Sequence, residues 1–240
     1  MKWTTILIQV VIMVTVCFAF PVTMVFSADK IAVIVVDIQG DFTTWKKGGL
    51  AVAGTDEAFV KKVAAATLKL KNAGFVIYGT QDWHPANHIS FYTNNAGKKP
   101  FETITIDGRI QVLWPPHCVQ GTENAKVLVN NNLFLAIVKK GQNPKYDSYS
   151  GFQDDGGAKT EMDSILKQEG IKKLVIYGIA TDYCVKATAI DAAANGYKVV
   201  VVEGLSKGVA PDTTAKALDE MKQKGIILMK ELDVKKIIGM

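Results

Sequence analysis

Six short runs rich in Val and Ile, at residues 31–37, 75–79, 134–140, 174–178, 197–202 and 226–229, recur along the chain. They lack the polar alternation of a strand with one wet face, so they predict strands covered on both sides. Helical patterns at 55–72, 158–169, 183–195 and 211–223 fall between them, the first carried by Ala58, Phe59, Val63 and Leu68 and closed by Gly74. Short strand–helix–strand spacing restricts the connections to right-handed crossovers and hence to parallel strands. The expected fold is α/β: three α/β/α layers around a central, mostly parallel sheet of about six strands. Ligand sites in such sheets lie beyond the carboxyl ends of the strands.

Three of these runs end in, or lead directly to, an ionisable side chain. Asp37 closes the first run, Lys140 the third, and Gly178-Ile179-Ala180-Thr181-Asp182-Tyr183-Cys184 carries the fourth into a helix. Singly, each has a plain explanation: a core cysteine, a turn-capping aspartate, a surface lysine. Gathered at one sheet edge, a carboxylate, an ammonium and a thiol form a nucleophilic set. In that reading Asp37 relays the proton of Cys184, Lys140 stabilises negative charge, and the helix start lowers the thiol's pKa. The backbone N–H groups of Ala180 and Cys184 are candidate oxyanion donors.

The segment from Gln81 to Asn132 breaks the strand–helix rhythm and holds all three histidines of the chain. Long irregular segments in compact domains are usually functional. Asp82 and His84, two apart on an extended tip, point the same way. With His117 they make a one-carboxylate, two-imidazole set suited to Zn²⁺, Mn²⁺ or Fe²⁺. Capping and loop hydrogen bonds are the plain alternative. His88 is either a fourth ligand or a residue that orients one.

At the amino terminus, Lys2 precedes an apolar run from Ile6 to Phe26, followed by Ser27-Ala28-Asp29. This predicts an export signal over residues 1–28 that delivers the protein to the periplasm, or an uncleaved membrane anchor facing the periplasm, ahead of one domain at 29–240. Cys17 lies in that segment, and Cys118 and Cys184 are expected to stay unpaired. The formal net charge of +5 comes from lysines spread along the chain without aromatic interleaving. That pattern argues for a solvated face and against a nucleic-acid partner.

The motifs Asp37-Ile38-Gln39-Gly40-Asp41-Phe42, Asp82-Trp83-His84-Pro85, Trp114-Pro115-Pro116-His117-Cys118, Lys140-Gly141, Asp147-Ser148-Tyr149-Ser150-Gly151-Phe152 and Gly178 through Val185 stand in this order. Taken together, they resemble the nicotinamidases of the isochorismatase-like cysteine hydrolase family. The resemblance spans about residues 30–232. It implies Asp37, Lys140 and Cys184 as a catalytic triad, Asp82, His84 and His117 as ligands of one divalent metal, Zn²⁺ first, and a cis peptide between Ile179 and Ala180. It also implies Phe42, Trp114 and Tyr149 as walls for a flat heteroaromatic ring, and possible self-association. The implied activity is hydrolysis of nicotinamide to nicotinate and ammonia, as in NAD salvage. Hydrolysis of another small amide, pyrazinamide-like or N-carbamoyl, is the alternative, and a binding protein without catalysis is a third reading. Export departs from a family that is mostly cytosolic.

Overall fold

The computed structural model describes residues 30–240 together with Met1; the expected export segment lies outside the described residues. Among the described residues no helix is long and apolar enough to cross a membrane. In chain order the elements are β1 (Lys30–Val36), α1 (Glu57–Asn72), β2 (Val76–Asp82), β3 (Thr103–Ile106), β4 (Arg109–Val112), β5 (Ala136–Lys140), α2 (Met162–Gln168), β6 (Ile171–Gly178), α3 (Lys186–Ala194), β7 (Lys198–Val202), α4 (Pro211–Gln223), β8 (Ile227–Met229) and α5 (Val234–Ile238).

Six strands form one sheet in the order β5-β2-β1-β6-β7-β8. Every pairing in it is parallel. The reason lies in the side chains of β1, where Ala32 through Val36 are all buried. Val33 and Val35 point into one apolar cluster with Phe59, Val63 and Leu70 of α1. Ala32, Ile34 and Val36 point into a second with Met162 and Leu166 of α2, Ala189 of α3 and Met221 of α4. Fully burying a Val or Ile side chain contributes about 1.5–3 kcal/mol, so a strand with no polar face is stable only when helices cover both sides.

The strand order changes direction at β1: the chain lays β2 and β5 on one side, then crosses to place β6, β7 and β8 on the other. A crevice opens at that switch point, between the ends of β1 and β6. Gly178 makes the approach of the two strands possible. Its φ is +142°, and a Cβ there would sit 2.0 Å from the Val36 carbonyl oxygen.

Several expectations shift. Leu68 is 46% exposed and Ala58 also faces solvent; the buried face of α1 is Phe59, Val60, Val63, Thr67 and Leu70. The helix expected at 158–169 is confined to Met162–Gln168. The segment read as irregular contains the β3–β4 hairpin, turned by Asp107 at φ +49° and Gly108 at φ +76°. Asp-Gly with both residues left-handed is a favoured two-residue hairpin turn. The short α5 was not anticipated; Asp233 caps it by accepting from the Lys236 N–H.

Gly178→Ala is expected to lose at least ~2 kcal/mol of stability, because the added methyl group meets backbone that the sheet holds in place. Urea unfolding of the two proteins checks this.

Candidate active site

The tips of β1, β2, β5 and β6 deliver the site. In the parallel register Asp82, the last residue of β2, pairs with Lys140, the last of β5. Lys140 reaches across the end of β2, and its ammonium lies 3.0 Å from Asp37 Oδ2 and 3.5 Å from Cys184 Sγ. It also donates to Asp82 Oδ1, and to the Ser148 carbonyl at 2.7 Å. All of these side chains are buried. The acid, cation and thiol expected from the sequence therefore meet in one place. Ligand atoms of Asp37, Asp82 and Cys184 lie within 4.8 Å of one another.

Asp37 follows β1 in a left-handed conformation, φ +47°. Thr80 on β2 holds it, accepting from its N–H at 3.2 Å and donating to its Oδ1 at 2.6 Å. Asp37 Oδ2 has no aligned donor; its contact with Lys140 is ionic. Burial pushes the Asp37 pKa up to about 6, against the pull of Lys140. Burial also acts on Asp82, but Lys140 and His84 outweigh it and hold that carboxyl far below its usual range. Two nearby carboxylates thus titrate apart, the usual condition for one of them to move protons.

Cys184 differs from expectation. It sits in a five-residue π turn, Thr181–Val185, with α3 beginning only at Lys186. Burial pushes its pKa well above the usual thiol value; Lys140 opposes this, and the nearby carboxylates Asp37 and Asp82 reinforce it. A helix terminus contributes at most ~2 kcal/mol, whereas taking a charge out of water costs several, so burial decides the sign. The resting group is a thiol beside a carboxylate. Cys118 is buried and free as well. The Ile179–Ala180 peptide is cis.

Asp82, His84 and His117 present ligand atoms within 4.8 Å of one another. Each imidazole has its Nδ1 against a backbone carbonyl, that of Gly141 for His84 at 2.9 Å and that of Pro115 for His117 at 2.8 Å. With Nδ1–H donating, both Nε2 lone pairs are left for a cation, and the buried His84 Nε2 makes no hydrogen bond, with Asp82 Oδ2 3.6 Å away. Burial, helped by His84, pushes the His117 pKa down to about 4, so its imidazole is neutral at neutral pH. Two neutral-capable imidazoles and an ionised carboxylate make a donor set that fits Zn²⁺ or a similar divalent ion. His88 packs on His84 with ring centroids 4.4 Å apart. Both of its nitrogens are engaged, with Ser90 Oγ at 2.7 Å and the Tyr146 carbonyl at 3.2 Å.

The pocket above these groups holds about 430 Å³ with its open mouth counted. Phe42, Trp114, Tyr149, Ala180 and Tyr183 line it, with Cys184, Asp82 and His117 among its polar groups. Trp114 Nε1 donates to the Tyr149 hydroxyl at 3.0 Å, and the Tyr183 ring stands edge-on to Trp114 at 5.1 Å. Sequence reasoning missed the residues that hold this frame. Gln39 accepts from the Asp82 N–H and donates to the Asp82 carbonyl, both at 2.8 Å. Asp41 accepts from the Cys118 N–H at 2.7 Å, next to His117. Asp182 accepts from Val209, Ala210 and Thr213 ahead of α4. A polar side chain inside a motif was the available signal for all three.

Residues 31–231 match the isochorismatase domain family. The chain belongs to the isochorismatase family. As a member it is 41% identical over 204 residues to a nicotinamidase of Acinetobacter baylyi, covering 83% of this chain and 92% of that one. The pyrazinamidase of Pyrococcus horikoshii, solved in complex with zinc, superposes with a TM-score of 0.71 at 36% identity, covering 85% of this chain and 99% of its own. The yeast nicotinamidase bound to the inhibitor nicotinaldehyde gives a TM-score of 0.78 at 31% identity, covering 84% and 100%. Within this isochorismatase-family site Gly141 is tightly constrained. Its φ is +66°, and a Cβ would lie 2.3 Å from the His84 ring.

Gly141→Ala is therefore expected to push His84 off its carbonyl and weaken Zn²⁺ binding roughly 10-fold or more. Competition with a chromophoric chelator measures this, and circular dichroism checks that the fold persists.

Proposed function

We propose that the chain is a nicotinamidase, a cysteine amidohydrolase that converts nicotinamide and water to nicotinate and ammonia. The observation that carries this reading is the Lys140 ammonium within contact of Asp37, Asp82 and Cys184 at the floor of an aromatic-walled pocket. Named relatives with the same activity support it. A flat heteroaromatic amide fits between Phe42, Trp114 and Tyr149, because aromatic faces bind a flat ring over its area. The divalent ion held by Asp82, His84 and His117, when bound, supplies a Lewis-acid anchor for the polar edge of that ring.

The steps follow from the resting protonation states. Above about pH 6 Asp37 is a carboxylate and Cys184 a thiol. Asp37 takes the Sγ proton as sulfur forms a bond to the carboxamide carbon, and Lys140 stabilises the charge passing through sulfur. The carbonyl oxygen gathers negative charge at the start of the π turn. There the N–H groups of Thr181, Tyr183 and Val185 are already bonded to carbonyls. Ala180 N–H precedes the turn and Cys184 N–H lies within it, so these two are the donors assigned to the oxyanion. Asp37 then gives its proton to the amide nitrogen, the C–N bond breaks, and ammonia leaves a thioester on Cys184. Water adds to the thioester, losing a proton to Asp37; the C–S bond breaks, and Asp37 returns the proton to sulfur.

The amino-terminal reading is also a proposal: residues 1–28 direct export, and residues 29–240 form one hydrolase domain. The small residues Ser27 and Ala28 after the apolar run support it. The mature amino terminus, read by mass spectrometry of the secreted fraction, tests cleavage. Self-association, implied by family resemblance, is tested by sedimentation.

Cys184→Ala is expected to lower ammonia release by about 10⁴-fold and to form no acyl adduct by intact mass. Retained turnover, or an adduct on that variant, refutes the covalent role. In the parent enzyme kcat/KM is expected to fall with a slope of one below about pH 6, as Asp37 takes up a proton and ceases to act as a base. An acid limb centred near pH 4 would contradict the assignment. A panel of nicotinamide, pyrazinamide and N-carbamoyl compounds separates this activity from hydrolysis of another small amide.

A further inference from the structure

Asp147 is a buried carboxylate that the proposed chemistry does not use. It lines the pocket with Asp82 and His117, and 4% of it is exposed. Its oxygens accept from the Ser148 N–H at 2.9 Å and from Gln111 Nε2 at 3.1 Å. Both donors are neutral. Among the described residues no lysine or arginine pairs with it, and the titratable groups that face it most closely are imidazoles, His84 first and His88 next. A buried charge persists where it is paired or faces a bound cation, so this carboxylate lacks its counter-charge.

The missing charge has a place to stand. Ligand atoms of Asp147, His84 and His88 lie within 4.8 Å of one another, and His84 is at the same time grouped with Asp82 and His117. The His84 Nε2 is buried without a hydrogen bond, and Asp82 Oδ2 lies 3.6 Å from it. Asp147 thus flanks the Asp82–His84–His117 set through His84 without belonging to it. Asp82 is the sole anion of that set, and it already shares its charge with Lys140. A divalent ion there leaves a positive excess in a buried site.

We infer that Asp147 is a positioning residue of the metal centre: it balances the ion's charge from outside the ligand set and accepts hydrogen bonds from the ion's non-protein ligands. The inference rests on the reading of Asp82, His84 and His117 as the ligands. It requires opposite effects of one substitution on the loaded and the empty protein. A purely structural aspartate would produce no such split.

The test compares Asp147→Asn with the parent, using Zn²⁺ in competition with a chromophoric chelator and thermal unfolding in excess EDTA. Asp147→Asn is expected to hold Zn²⁺ roughly 10–100-fold more weakly. Its metal-free form is expected to unfold at the parent's temperature or above, since an unpaired buried charge has been removed. Asp147→Glu, which keeps the charge, is expected to recover most of the affinity. With Co²⁺ in place of Zn²⁺, the visible absorption bands of Asp147→Asn should keep the parent's positions. Unchanged Zn²⁺ affinity, a metal-free variant that is less stable or does not fold, or shifted Co²⁺ bands that report a lost direct ligand each overturn the inference. His84→Ala separates the two levels. If it binds Zn²⁺ as the parent does, the metal site itself is misplaced; if it loses Zn²⁺ while Asp147→Asn does not, the role given to Asp147 alone fails.

Discussion

The Lys140 ammonium is the charge on which the site depends. Asp37 and Asp82 present oxygens within 4.8 Å of each other in a region closed to water, and one cation touches both. Two unit charges about 4 Å apart interact by roughly 4 kcal/mol at the effective dielectric of a protein, so the two carboxylates would not both ionise there unaided. The sharing is unequal. Asp82 takes the hydrogen bond and stays ionised, whereas Asp37 has only the ionic contact and titrates at about 6. One lysine therefore serves both a carboxylate held as an anion and one poised to take up a proton.

Sheet topology brings that lysine to its partners. Lys140 ends the edge strand β5, Asp82 ends its neighbour β2, and Asp37 follows the central β1. A parallel register aligns those ends, and the crossing to β6 adds the thiol from the far side of β1. Tight places along this edge are occupied by residues without bulk: Gly178 against Val36, and Gly141 against His84. The fold and the chemistry meet at these close approaches.

Much of this was legible beforehand, because an ionisable residue at the end of an apolar run is conspicuous and three histidines in one segment even more so. The strand-end placing of Asp37, Lys140 and Cys184 and the six-stranded sheet were read in that way, while the aromatic walls came from family resemblance. The supporting groups were not, since Thr80, Gln39 and Asp182 have no chemistry of their own and are recognised only by what they hold. The hairpin at Asp107-Gly108 was hidden inside a stretch read as loop because its strands are half-exposed and only four residues long. The sign of the Cys184 shift was misread for a physical reason: sequence shows the helix that follows, while burial and neighbouring carboxylates appear only once the chain is folded.

That thiol has a consequence for the chemical endurance of the protein. Peroxide and disulfide reagents react with thiolates they can reach, and Cys184 is 6% exposed and kept protonated by its surroundings. Burial that keeps the sulfur protonated therefore also slows its capture by such reagents, whereas a molecule that fills the cleft meets the sulfur beside a carboxylate placed to take its proton.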